Sequence, residues 1–195
     1  MIKGRVIPEF VIPYGTAEID GFTDDECWNR EWPYFVGQKS EAQLKASVCA
    51  DNNYLYLAAI VNDPELVVGA GSGTTDGIVF QLDTERKGYE ATHYGVYSFH
   101  LGADGSLKVM EGEFGGWKEL VGINSIQQKN QLSENSYMVE LSVPLDFFNS
   151  KLVKGKQLGI NFTLKNSFKN GYYFEENITS NDSDQPFSWC PFYIQ

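Results

Sequence analysis

Two histidines, His93 and His100, are the only side chains in this sequence whose ordinary pKa lies near neutrality. They stand an odd number of positions apart, so on one regular strand they face opposite sides. No strand–turn–helix nucleophile signature accompanies them, and a Ser-His-Asp arrangement has no anchor. The 26 acidic residues guarantee some carboxylate pair at the separation used for glycoside hydrolysis, but nothing singles one out. Catalysis within this chain is therefore not expected. Asp20, Asp24 and Asp25 gather oxygen donors in one opening loop. That is chemistry a Ca²⁺ ion accepts, although Asp20 and Asp24 also have ready roles in a turn and a cap. Cys27, Cys49 and Cys190 form neither a zinc spacing nor a compact disulfide framework, and read as buried thiols. The glycine-rich Gly69 to Gly73 lacks the following helix and lysine of a phosphate cradle, and reads as a loop.

Composition narrows the partners. The formal net charge of −11 argues against nucleic acid and anionic membrane surfaces, which are bound by basic patches. It suits a neutral or cationic partner, or bound Ca²⁺. No apolar run is long enough to span a membrane as a helix. The first residues carry no apolar export segment, so the chain as written reads as cytoplasmic, or as extracellular if cut from a larger secreted enzyme. At 195 residues, 42% of them hydrophobic, residues 1–195 suit a single domain with a sizeable core.

The elements that must position any site are strands. Ala42, Leu44, Ala46, Val48 and Ala50 alternate with polar or small residues, the period-two signature of a half-buried strand. Asp51-Asn52-Asn53 is turn chemistry. Tyr54 to Val61 is a near-continuous apolar run, expected as a central strand covered on both faces, and the two segments should form a hairpin. Val6 to Pro13 reads as an edge strand because of its prolines. Further strands are expected at Asp76–Asp83, Tyr94–Leu101, Leu107–Glu111, Leu120–Gln127, Ser136–Val143 and Gln157–Lys165, with an edge strand at Ser188–Ile194. Phe114-Gly115-Gly116-Trp117 reads as a loop presenting an aromatic, and Pro144 to Ser150 as one short helix. About ten short strands with one or two helical turns and no βαβ alternation imply an all-β, antiparallel β-sandwich of the jelly-roll or immunoglobulin-like kind.

The stretch Tyr14 to Trp28 organises the chain. Ile19 closes an apolar run, Asp20-Gly21 is a turn pair, and Thr23 with Glu26 has the spacing of a capping box. Trp28 has the apolar area to pin the loop to a core. Ile19-Asp20-Gly21 followed by Asp24 or Asp25 and Trp28 resembles the opening of the family 9 carbohydrate-binding modules. Lys45 to Val48 with Asp51 to Pro64, then Tyr137 to Leu145, then Leu158 to Phe162 are similar to later segments of that family, in family order.

The resemblance, which extends to the DOMON-like superfamily, implies a non-catalytic module binding a mono- or oligosaccharide, with structural calcium in the domain. It also implies a sugar clamp of two tryptophans assisted by a glutamate, an arginine and a glutamine. Here the first tryptophan position falls in Gly73-Thr74 and the glutamate position is Val79. Apolar or small residues stand near Val96 and Thr163, and Asn181 to Asp184 holds no tryptophan. Any sugar must then use other aromatics. Trp117, flanked by Gly116, is the first candidate, followed by Trp189, Tyr89 and Tyr172. Two other readings stay open. One is a ligand-free accessory sandwich. The other is a DOMON-type haem domain using Met110 or Met138 with His93 or His100, although haem is not expected.

Overall fold

The computed structural model describes residues 10–28, 32–38, 40–69, 75–168, 171–179 and 184–195. The chain forms β1 (Phe10–Ile12), β2 (Tyr34–Gly37), β3 (Gln43–Ala50), β4 (Tyr54–Asn62), β5 (Gly77–Asp83), β6 (Val96–Gly102), β7 (Leu107–Glu113) and β8 (Gly116–Leu120). Then follow β9 (Gln127–Ser133), β10 (Ser136–Pro144), β11 (Gln157–Ser167), β12 (Tyr173–Asn177) and β13 (Cys190–Ile194). Single 3₁₀ turns stand at Leu145–Phe147 and Pro186–Ser188. One sheet runs β1-β13-β11-β5-β6-β7-β8, with β12 also paired to β11; the other runs β2-β3-β4-β10-β9. All pairings between these strands are antiparallel except β1 with β13.

The expected hairpin is present, with Leu44 opposite Val61 and Val48 opposite Leu57. Leu44, Ala46 and Val48 face the core between the sheets, where they meet Ile78, Phe80 and Leu82 of β5 and Phe162 of β11. Tyr34 stacks on Phe162 at 5.4 Å, and Phe80 bridges Phe162 and Phe99. Alternation in β3, β5, β6, β10 and β11 thus fills one core from both sheets.

The opening segment lies on the outer face of the five-stranded sheet. Ala17, Cys27 and Trp28 pack there against Cys49, Tyr56 and Ala58. This cover buries β4 on both faces, as its unbroken apolar run requires. Thr23 does not form the expected capping box: its hydroxyl lies 3.7 Å from the Met138 sulfur instead.

Other expectations are corrected. Residues 121–126 are not a strand; β8 ends before them and β9 begins after them. Trp117 is not in a loop but on β8, because Phe114 and Gly115, with φ of +43° and +86°, make a two-residue turn that sends the chain straight back along β7. β13 is not an edge: it lies between β1 and β11, and β1 takes the edge. β2, β9 and β12 add strands that apolar alternation did not mark. The Val6–Glu9 part of the entry strand, Ala70 to Thr74, and Asn181 to Ser183 lie outside the described residues.

Candidate functional site

Because the opening segment covers the outer face of one sheet, the outer face of the other is where a site can form. Strand parity places its residues in rows. Thr163, Val79, His100 and Lys108 stand side by side on β11, β5, β6 and β7. The next row toward one end is Lys165, Gly77 and Gly102. Toward the other end come Asn161, Gln81, Ser98, Met110 and Glu119, then Gly159, Asp83, Val96 and, on β8, Trp117 opposite Gly112.

The middle of this face is polar yet buried. Gln81, Ser98, Asn161 and Thr163 are each at most 3% exposed. Asn161 donates its amide to Gln81 Oε1 at 2.8 Å, while Asn161 Oδ1 and Thr163 Oγ1 have no partner. Buried polar atoms without partners are uncommon and invite an explanation. Val79, 5% exposed, occupies the position where the family resemblance would put a glutamate.

At the Lys165 end the face opens into a groove of about 410 Å³. His100, Lys108, Lys165, Thr75, Asp104 and Ser106 line it, and Gly77 keeps its floor low. A Cβ at Gly77 would come within 2.7 Å of the Leu101 carbonyl oxygen. Burial first, and then the charges of Lys165 and Lys108, push the His100 pKa down to about 4. The ring is thus neutral at pH 7, with Nε2 3.0 Å from Ser98 Oγ. A neutral imidazole offers one donor and one acceptor. The Asp104 carboxylate accepts from the hydroxyl and amide of Ser106, which hold its pKa below the usual range. Lys108 and Lys165 pair with the exposed Glu119 and Glu175 at 3.0 and 3.3 Å. Such surface pairs are weak and can be traded for a ligand.

The four aromatic candidates separate. Trp117 is half-buried on edge strand β8 and donates its indole N–H to Asp184 at 2.9 Å. Tyr89, 48% exposed, sets its ring edge against His93 at 4.2 Å, and its carbonyl accepts from the Phe187 amide. Trp189 is fully buried beside Gly159, so it offers no free ring face to a sugar; that candidate is corrected to a packing role. Tyr172 is exposed at the β11–β12 hairpin, away from the other three. The residues not anticipated as sugar contacts are the groove polars His100, Lys108 and Lys165, and the exposed pair Tyr94 and Phe114, stacked edge to face at 5.2 Å beside Trp117's strand. Face parity would have found the first group.

In the Asp20, Asp24 and Asp25 set, two carboxylates are engaged in local turns. Asp20 Oδ1 accepts from the Phe22 amide and Asp25 Oδ2 from the Glu18 amide. No three His, Cys, Asp or Glu side chains converge as a metal group among the described residues.

The fold resembles known structures. A family 9 carbohydrate-binding module from Caldicellulosiruptor kristjanssonii in complex with cellotriose matches with a TM-score of 0.79 and 20% identity, over 96% of this chain and 94% of that one. The same organism's module in complex with glucose gives 0.76, 20%, 96% and 96%. A protein described as a carbohydrate-binding candidate from Bacteroides uniformis gives 0.65, 12%, 97% and 100%. No curated protein sequence matches. Residues 19–189 match the carbohydrate family 9 binding domain-like family, so this chain belongs to that family of binding modules.

Proposed function

We propose that this module binds a mono- or oligosaccharide in the His100 groove on the outer face of the eight-stranded sheet. The observation that carries the reading is the groove itself: about 410 Å³, open, glycine-floored and ringed by polar side chains, on the one sheet face that the opening segment leaves free. Its size falls in the range of small-ligand sites. Neutral His100, the two lysines and the Thr75 and Ser106 hydroxyls supply donors and acceptors for sugar hydroxyls. Trp117 stands four residues farther along the strands, roughly 13 Å at 3.3 Å per residue. There its ring flanks the path of a longer chain. The family match and the sugar-bound structural relatives support the same reading. The family match also supports a role as an accessory domain of a carbohydrate-active protein.

Without a two-tryptophan clamp, affinity is modest. At roughly 0.3 kcal/mol per non-hydrogen atom, a disaccharide of about two dozen atoms gains about 7 kcal/mol, a Kd on the order of 10 μM at best. Calorimetric or NMR titration with glucose, cellotriose and a panel of other oligosaccharides tests this. Binding between about 10 μM and 1 mM is expected. His100→Ala and Lys165→Ala should each weaken binding several-fold with little change in Tm, and Trp117→Ala should weaken only the longer sugars. Binding that survives the His100 and Lys165 substitutions unchanged would move the site off the groove. No response to any sugar would leave a ligand-free accessory sandwich.

A further inference from the structure

Cys27 and Cys49 are separated by a strand, a turn and a loop in sequence, yet they meet beneath the opening segment. Cys27 is 7% exposed and Cys49 fully buried, and both belong to the small cluster that holds Trp28 against the five-stranded sheet. A Cβ on Gly15 would stand 2.8 Å from Cβ of Cys27 and 4.0 Å from Cβ of Cys49, so both side chains leave the backbone beside one glycine. The backbones on either side are fixed: Gly15 donates to the Ala50 carbonyl at 2.9 Å, Ala50 to the Pro13 carbonyl at 3.0 Å, and the Trp28 amide to the Asp25 carbonyl at 2.9 Å. Cys190 lies in the main core on the other sheet and cannot compete. A disulfide asks for Cβ atoms about 3.5–4.5 Å apart, a separation that two side chains flanking one glycine reach by a local shift of the opening segment.

We propose that Cys27 and Cys49 are a dithiol–disulfide pair, a reversible covalent clamp between the opening segment and the outer face of the five-stranded sheet. The oxidant is a small-molecule disulfide of the glutathione class. The less buried Cys27 attacks first as the thiolate. Its sulfur bonds to one glutathione sulfur, the glutathione S–S bond breaks, and the first glutathione leaves and takes up a proton. The Cys49 thiolate then attacks the Cys27 sulfur, closes the Cys27–Cys49 bond and expels the second glutathione, which also takes up a proton. Two protein thiols are oxidised and one disulfide is reduced to two thiols. Cys49 is slow to ionise, because the neighbouring Cys27 thiol and then burial push its pKa far up. Closure is therefore fastest when the opening segment lifts transiently, and mild denaturant should speed it. In a compartment poised like the cytosol the pair stays reduced; in an oxidising one it closes.

The test uses the full chain in reduced and in oxidised glutathione buffers, followed by unfolding, thiol alkylation and intact-mass analysis. After oxidation one of the three cysteines, Cys190, should be alkylated. A proteolytic peptide should link Cys27 to Cys49. Tm should rise by about 5–10 °C and fall back with dithiothreitol. Cys190→Ser should behave as the parent, whereas Cys49→Ser should stop at a glutathione adduct on Cys27. Three alkylated thiols after oxidation in mild denaturant, a link through Cys190, or a bond that forms without raising Tm would overturn the proposal. Sugar titration is unaffected by the clamp, so it fails or succeeds independently of the groove.

Discussion

Burying the Glu140 carboxylate completely demands donors, and the opening segment supplies three. Gly21 and Asp20 donate backbone amides to Oε2 at 2.8 and 3.2 Å, and the Trp28 indole donates to Oε1 at 3.1 Å. Burial still outweighs them and pushes the Glu140 pKa up to about 7. The Ile19-Asp20-Gly21 turn and Trp28 are thus one device: the turn aims amides at a carboxylate that the indole also caps. Trp28→Ala removes a fully buried aromatic and one of those donors. It should cost about 3–5 kcal/mol in urea unfolding, the range for large aromatic truncations in cores. A loss under about 1 kcal/mol would show that the segment folds without its anchor. At this scale much was legible: Trp28 as an anchor and Asp20 bonding a nearby amide both follow from residue type. The partner Glu140 was legible only as a strand residue, because a contact across more than a hundred positions leaves no spacing signal. The meeting of Cys27 with Cys49 was hidden for the same reason.

Strands with a strong alternation were legible at the level of the element, and polar edge strands were not. β9, Gln-Gln-Lys-Asn-Gln-Leu-Ser, has no apolar stripe because its outer side meets solvent rather than a second strand; it exists because β10 offers it a ladder. β8 was misplaced because its hairpin depends on Phe114 adopting a left-handed backbone, which no propensity foretells. Two glycines test how such turns are held. Gly37 and Gly115 have nearly the same φ, +84° and +86°. A Cβ at Gly37 would strike the Ala42 carbonyl oxygen and come within 2.9 Å of Leu164 Cδ2, whereas at Gly115 the nearest contact is Ala91 Cβ at 3.9 Å. Gly115→Ala should therefore cost only the backbone term, about 1–2 kcal/mol. Gly37→Ala adds overpacking, for a total of about 2–5 kcal/mol. Equal losses in denaturant unfolding would mean that β2 shifts freely, and that its packing on the eight-stranded sheet is loose.

For the whole molecule, the candidate face was legible as parity but not as an address. Which of two outer faces stays open depends on where residues 14–28 lie, and that is a tertiary fact. The same burial that shapes the two faces sets how stability responds to pH. Burial pushes Asp76 up to about 6, against amides of Val67 and Ser167 that pull it down, and Glu140 up to about 7. Both carboxyls bind protons more tightly folded than unfolded, so the stability they lend is full below about pH 4 and is lost as pH rises through 6 to 7. His100 acts oppositely. Its folded pKa is depressed to about 4, so its contribution is present above about pH 6.5 and is lost as pH falls toward 4. Near pH 5.5 the two carboxyls outweigh the one histidine. The three together should lower stability by roughly 1 kcal/mol per pH unit as pH rises. Self-repulsion at a net charge of −11 pushes the same way. Below about pH 4 the trend reverses. There Asp51 loses the Asn53 and Tyr54 amides that hold it ionised against its burial, and Asp104 loses Ser106. The Tm should therefore peak near pH 4 and decline toward pH 7.5. Glu140→Gln, a fixed stand-in for the protonated carboxyl, should flatten that decline, and His100→Gln should steepen it. A parent Tm that climbs steadily from pH 5 to 7.5, or a Glu140→Gln profile parallel to the parent's, would show that Glu140 is ionised in the folded protein and that its three donors prevail over its burial.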